Sequence, residues 1–383
     1  MEKGKINLKK KIIFFGNFNF KKIGNETQTN VNASTNKLYN LISNLNINNI
    51  KIYIVSSPTI SGINADNSIF RFNGINIYHK SIKKTLFRKL FSLFFFLNIL
   101  KKITKIKKHK YKIFFYNSLP EYLFAIIYCK IFNLDIFLDI EDSPRRDEFN
   151  INAIVNSIFF YIYKNYFFKN YMCTNIKNYN LIKKYNKKFI YYGSIKKFIP
   201  NNLLTNDKIL ILFSGTINKA TGLNIFIELV HQINIDDNYM FIRDKVHFYV
   251  TGNLDRSDDV SSLLNYSNVS LKLNLPYNDY LNLLSNVNLA FNLRIPNSYI
   301  NNTTFPSKII EYLRHNIHII SSKNEDLESF KFYNSVFIME KYDSYELIKL
   351  IGEYITLYQS GNLKFDHDKI KSIFCADNII KYI

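Results

Sequence analysis

Cysteine is scarce: Cys129, Cys173 and Cys375 are the only three, and no two form a CxxC pair. A disulfide framework and a thiolate zinc site are therefore excluded, and a reducing compartment suits the chain. His231, His247, His315 and His318 make no HExxH or other ligand spacing, so no metal is expected. Three further signatures are missing: the GxSxG elbow of covalent hydrolases, the GxxxxGK[ST] phosphate loop and the GxGxxG dinucleotide fingerprint. Long apolar runs are also absent. The opening MEKGKINLKKKIIFFGNF loses its apolar character after Phe15, too soon for a secretory signal core. The most apolar stretch, 90–100, lies between Arg88-Lys89 and Lys101-Lys102 and reaches about half the length that spans a bilayer.

Acidic residues are absent altogether from 67 to 120. In that interval the basic segment 80–112 interleaves lysines with Leu, Ile and Phe, a pattern suited to lying in an anionic headgroup layer or, alternatively, to a core helix followed by a solvated basic helix. Over the whole chain 51 Lys and Arg outweigh 30 Asp and Glu, a formal charge of +21. That balance predicts an anionic partner. No zinc finger, RNP-like aromatic strand or GXXG loop accompanies the charge, so nucleic acid is not expected. The segment instead predicts a cytoplasmic protein peripherally associated with the inner face of the cell membrane.

What is present is enough for two cores: 383 residues, 47% hydrophobic and 16% aromatic. Continuous apolar runs at 11–16, 51–57, 112–118, 134–140 and 171–175 read as strands of a parallel sheet covered on both faces. Helical patterns lie between them at about 31–46, 119–132, 151–168 and 176–185. The rhythm restarts with strands at 209–215, 246–252, 286–292 and 317–322, and with helices at about 222–234, 307–315, 342–357 and 367–383. The polar, proline-containing stretch near 195–208 is the expected boundary. The predicted organisation is an N-terminal domain over 1–200, a C-terminal domain over 201–365, and a last helix over 366–383 that packs back on the first domain.

In open parallel sheets ligands bind beyond the carboxyl ends of strands, where helix N-termini offer free N–H groups. Three loops stand at such places. FSGTINKATG at 213–222 presents Gly215, Thr216 and Lys219 before a helix, as a phosphate-facing loop or as an ordinary glycine-relieved turn. FNLRIPNSYINNTTFPSKIIEYL at 291–313 offers Thr303, Thr304 and Ser307 as capping oxygens. Ser307, Lys308 and Glu311 share a helix face there, with Lys308 suited to phosphate and Glu311 to sugar hydroxyls, or the two to an exposed ion pair. Arg294 adds a cation suited to bidentate phosphate contact. LDIEDSPRRDEF at 138–149 carries Asp139, Glu141 and Asp142, which either orient an acceptor hydroxyl or form a solvated loop. GNETQTN at 24–30 cradles an acceptor or simply turns the chain.

The segments ILFSGTINKATGLNIFIELV, NLAFNLR and FPSKIIEYLRHNIHIISS resemble the retaining glycosyltransferases of family 4, and LDIEDSP resembles an acidic segment of polysaccharide-building members. The resemblance implies the GT-B fold, an α/β architecture of two doubly wound Rossmann-like domains facing across a cleft. It implies that the C-terminal domain holds a UDP- or GDP-sugar as substrate, with no separate cofactor and no metal, and that the N-terminal domain holds a lipid-linked or glycan acceptor. It places Glu311 on the donor ribose and Gly215 with Thr216 in the phosphate loop. Thr216 and Thr221 stand where the family usually has arginine and lysine, and Thr303 where it has a second glutamate. Arg294, Lys308 and Lys219 are then the cations left to meet the leaving diphosphate, with Asp142 beside the acceptor.

Overall fold

The computed structural model describes residues 10–16, 18, 20–23, 26–29, 37, 38, 41, 42, 50–56, 59, 60, 67–72, 75–80, 82, 83, 88–105, 111–141, 151–184, 186–200, 208–255, 258–375, 379 and 382. The chain falls into two compact units, one of Met1–Ser194 with Ala376–Ile383 and the other of Ile195–Cys375.

In the first unit the apolar runs form strands β1 (Lys10–Gly16), β2 (Ile50–Ser56), β3 (Asn67–Phe72), β4 (Ile75–Lys80), β5 (Tyr111–Tyr116), β6 (Asp135–Ile140), β7 (Asn170–Cys173) and β8 (Lys187–Ile190). Among the described residues they make one eight-stranded sheet, ordered β8-β7-β6-β5-β1-β2-β4-β3. All pairs are parallel except the β3–β4 hairpin. Ile13, Phe15, Ile113, Phe115 and Leu138 bury one face under helices α1 (Arg88–Thr104), α2 (Leu123–Ile131) and α3 (Ile151–Ile162). Ile12, Phe14, Ile54, Phe114 and Phe137 bury the other against Leu38, Leu41 and Ile42. Two buried faces explain why the strands read as unbroken apolar runs. Stacked rings run across the ladder, Phe14 on Phe114 at 5.0 Å and Phe114 on Phe137 at 4.7 Å.

Local differences from the sequence pattern have physical causes. The β3–β4 hairpin and β8 sit at the edges, where apolar patterning is weakest. The helix read over 151–168 closes with a π turn at Tyr163–Phe167, which seats the buried Tyr163 hydroxyl 3.2 Å from the Leu119 carbonyl. Of the helix expected over 31–46, residues 37, 38, 41 and 42 are helical and the rest lie outside the described residues. Glu26–Thr29, expected as part of a cradle or turn, pair with Phe20–Ile23 as an antiparallel ribbon.

The second unit repeats the plan with β9 (Ile209–Ile217), β10 (Val246–Leu254), β11 (Val269–Leu271), β12 (Leu289–Asn292), β13 (His318–Ser321) and β14 (Val336–Ile338), all parallel, in the order β11-β10-β9-β12-β13-β14. Helix α4 (Leu223–Ile235) buries Phe226, Leu229, Val230 and Ile233, an i, i+3, i+4, i+7 stripe. Helix α5 (Tyr277–Leu284) and helix α6 (Ser307–Arg314) flank β12 in sequence, and α7 (Ser344–Gln359) adds Leu347, Ile351 and Tyr354 to the core.

The helix expected over 367–383 ends at Ile373. Ile379 then enters the first unit's core, and the Tyr382 ring stacks on Phe189 at 4.2 Å. Among the described residues no helix is long and apolar enough to cross a membrane.

Candidate functional site

Strand order reverses between β9 and β12 in the second unit and between β1 and β5 in the first. Such switch points open a crevice at the carboxyl ends of the strands. In the second unit three chain segments converge there.

Gly215, near the end of β9, has φ 123°, and its partner Gly252 on β10 has φ 135°. A Cβ on Gly252 would strike the Gly215 carbonyl, whereas a Cβ on Gly215 would meet nothing within 4 Å. The Gly215 backbone is therefore held from below and open in front. Gly252→Ala is expected to push the Gly215 turn out of place and to lower stability by at least about 1–3 kcal/mol through the dihedral alone. Thermal unfolding of the full chain measures it. Thr216 and Lys219 are exposed beside this turn. Thr221 donates to the Thr216 carbonyl at 2.7 Å, and its N–H donates to Asn218 Oδ1 at 3.0 Å, so it braces the loop.

The loop after β12 is tied to the same place by the Ile295 N–H, 3.3 Å from the Ala220 carbonyl. Arg294 donates from Nη1 to Thr304 Oγ1 at 2.7 Å and to the Thr304 carbonyl at 3.2 Å, fixing its guanidinium at the loop. The capping expected of Thr303, Thr304 and Ser307 is not what the structure contains. Pro306 is the N-cap of α6 and no side chain caps it. Thr303 and Thr304 donate instead to the carbonyls of Tyr299 and Ile300, and Ser307 is exposed. Among the described residues the first-turn N–H groups of α6 are thus left without a side-chain acceptor, a setting that favours an anion.

One turn into α6, Glu311 Oε2 accepts from Lys308 Nζ at 2.9 Å and from the Tyr280 hydroxyl at 3.0 Å. Lys308 Nζ also donates to the Tyr280 oxygen at 2.8 Å and lies 4.1 Å from the centre of its ring. Ser214 Oγ, one residue before Gly215, stands 2.7 Å from the Tyr312 hydroxyl and 3.4 Å from that of Tyr280. This network joins the glycine turn to the helix start. Burial, with Tyr312 and Glu311 nearby, holds the Tyr280 hydroxyl well above its ordinary value, so it stays protonated and donating. Two donors fix one oxygen of Glu311, while Oε1 has no hydrogen-bond partner among the described residues. A carboxylate oriented in this way is built to accept from a diol.

The structure therefore gathers Gly215, Thr216, Lys219, Arg294, Ser307, Lys308 and Glu311 at one end of the second sheet. Sequence reasoning missed Ser214, Tyr280 and Tyr312. Tyr280 sits on α5, a short amphipathic pattern in PYNDYLNLL that carries no charged cue on its buried face.

The first unit holds a separate cluster. Lys37 Nζ lies 3.1 Å from Asp139 Oδ1 and 3.5 Å from Glu141 Oε2. The three side chains are only 10%, 9% and 17% exposed. Burial alone would lower the Lys37 ammonium, but Asp139 and Glu141 outweigh it and hold it above the ordinary lysine value. Lys37 and Asp139 line a small hollow walled by Phe14, Phe18, Phe114 and Tyr116. The DxE pair of the sequence is thus turned onto an ammonium, and no group of three or more His, Cys, Asp or Glu suited to a metal occurs among the described residues. Asp142, with Arg145 and Arg146, lies outside the described residues.

Two doubly wound parallel-sheet units in tandem give the chain the GT-B fold. Among solved structures, the sucrose-phosphate synthase of Thermosynechococcus elongatus matches with TM-score 0.69 at 12% identity, covering 97% of each chain. Anabaena HepE in complex with UDP matches with TM-score 0.63 at 11% identity, covering 97% of this chain and 98% of that one. A glycosyltransferase of Rickettsia africae gives TM-score 0.63 at 12% identity, over 98% and 96%. No protein-family model and no curated protein matches the sequence.

Proposed function

We propose that the protein is a retaining glycosyltransferase that moves a sugar from a UDP- or GDP-sugar to a lipid-linked or polysaccharide acceptor. The observation that carries this reading is Glu311, held on one oxygen by Lys308 and Tyr280 and open on the other, beside the Gly215 turn and the uncapped start of α6. In this arrangement Glu311 accepts from the donor ribose, and Ser307, Gly215 and Thr216 present N–H and hydroxyl groups to the diphosphate. Arg294, Lys308 and Lys219 neutralise the charge that develops as the nucleotide leaves, which lowers the barrier electrostatically. Asp142 and the Lys37–Asp139–Glu141 cluster belong to the acceptor side, where carboxylates orient a hydroxyl. The protein works in the cytoplasm at the inner face of the cell membrane, to which the basic segment 80–112 attaches it.

The test is a donor panel: purified protein, membrane lipid extract, and UDP-, GDP- and other nucleotide sugars, scored for released nucleotide and glycosylated product. Turnover with one donor class supports the reading. Tyr280→Phe removes the donor to Glu311 and the acceptor of Lys308. Its KM for that donor is expected to rise about tenfold, the worth of one to two hydrogen bonds, with kcat nearly unchanged in steady-state kinetics.

A second reading, a nucleotide-sugar-binding scaffold without turnover, draws on Thr216, Thr221 and Thr303. Thr303 carries no carboxylate, and its hydroxyl, on a residue 3% exposed, is spent on the Tyr299 carbonyl. Nucleotide binding with no sugar released from any donor, after candidate acceptors are supplied, favours the scaffold.

A further inference from the structure

Helices α1, α2 and α3 cover one face of the first sheet, and their outward sides are apolar where solvent is expected. On α1, Phe96, Leu100 and Ile103 point into the core, while Phe91 is 58% and Phe94 49% exposed. On α3, Ile151, Ile154, Ile158 and Tyr161 are 79%, 54%, 51% and 59% exposed. Their i, i+3, i+7, i+10 spacing makes a single stripe along the helix. Ile131 at the end of α2 is 72% exposed. Phe94 on α1 meets Phe124 on α2 with ring centres 5.5 Å apart, so these two helices share one surface. Exposed apolar side chains gathered on the helices that cover one sheet face mark an interaction surface.

Charge decides the occupant. None of the three helices contains an acidic residue. Lys101, Lys102, Lys105 and Lys130 are exposed on or beside α1 and α2, and Lys169 follows α3. A second copy applied to this face would set lysine against lysine, and the three helices themselves offer those lysines no carboxylate. An anionic lipid leaflet instead complements both properties: acyl chains receive the apolar side chains, and headgroups receive the lysines, whose stems lie along apolar surface. The basic segment alone is a poorer anchor than its sequence suggests, because Phe96, Leu100, Ile103 and Tyr111 are spent on the core.

We propose that the outer sides of α1, α2 and α3 together form a docking surface for an anionic lipid leaflet, with the α3 stripe as its apolar keel. This deepens the membrane reading made above and is independent of sugar transfer.

The experiment uses the full chain and flotation with vesicles of phosphatidylcholine alone or of phosphatidylcholine with phosphatidylglycerol. Binding to the anionic vesicles is expected to exceed binding to the neutral ones at least tenfold and to weaken with salt. Lys101→Gln/Lys102→Gln should cost about thirtyfold, at ~1 kcal/mol per lysine near the surface. Ile154→Gln/Ile158→Gln should lose at least tenfold while unfolding at the wild-type temperature, since both positions face outward. Equal flotation of wild type and the Ile154→Gln/Ile158→Gln variant, or no preference for anionic vesicles, overturns the proposal. So does a dimer in gel filtration that this variant dissolves, because a second copy then covers the face. UDP-sugar and GDP-sugar binding measured on the same variant should equal wild type. Loss of flotation with intact donor binding separates this surface from the donor site.

Discussion

Glu311→Ala is expected to weaken nucleotide-sugar binding by about 10–100-fold, the range that follows from losing a hydrogen bond to a charged acceptor worth ~1.5–3 kcal/mol. Calorimetry with the donor identified in the panel measures it, and product formation should fall at least as far. Stability should barely change, because the Lys308–Glu311 pair is 38% and 23% exposed and such pairs contribute little. The two readouts therefore separate. Glu311→Gln makes a useful contrast: it keeps the shape but deprives Lys308 of its counter-charge, so donor binding should fall less than in the alanine variant. Unchanged donor affinity in Glu311→Ala would remove the ribose role and with it the main support for the proposed activity.

Lys37→Met has the largest expected effect on stability. It leaves Asp139 and Glu141 facing each other in a nearly closed space, and removing one partner of a buried ionic group costs about 3–5 kcal/mol. For a unit of this size that is a fall in melting temperature of about 10 °C, read by calorimetry. Adding Asp139→Leu and Glu141→Gln should restore most of the loss, since apolar replacement of the whole cluster removes the desolvation cost. The pH dependence has a definite sign. The folded-state value of Lys37 lies above the ordinary 10.5. Its stabilisation is therefore complete below 10.5 and is lost as pH climbs through the higher folded value. Wild type should lose stability in strongly alkaline buffer, and the triple variant should not share that loss. An equal alkaline decline in both proteins would show that Lys37 is not its source.

The central strands were legible because each is buried on two faces, so KIIFFG, KIFFYN and ILILFSG needed no tertiary information to be recognised. Edge strands such as β11 and β14 are three residues each and carry no comparable run. At the site, Glu311, Lys308 and Arg294 were visible as charges placed near strand ends and a helix start. Their partners were not. Tyr280 lies 31 residues from Glu311 and meets it only through the fold, across from α5 to α6. Lys37 was hidden for a similar reason: it sits 102 residues from Asp139. A lysine beside the buried Leu38 and Leu41 in a helical pattern is the one local hint that it points inward. Spacing locates charges along an element, whereas the pairing of charges depends on sheet order.

The first unit opens its core with Ile12 and Phe14 and completes it with Ile379, while Lys112 donates to the Tyr382 carbonyl at 2.8 Å. A ribosome makes the intervening second unit before it supplies those closing residues. The domain begun first is thus finished last, and the continuous segment Ile195–Cys375 has its whole sequence available while its predecessor still lacks a wall. A cut between the two units at Ser194 would release the second as a contiguous piece but would strip the first of Ile379, so the pair is asymmetric in assembly even though the two folds repeat one plan.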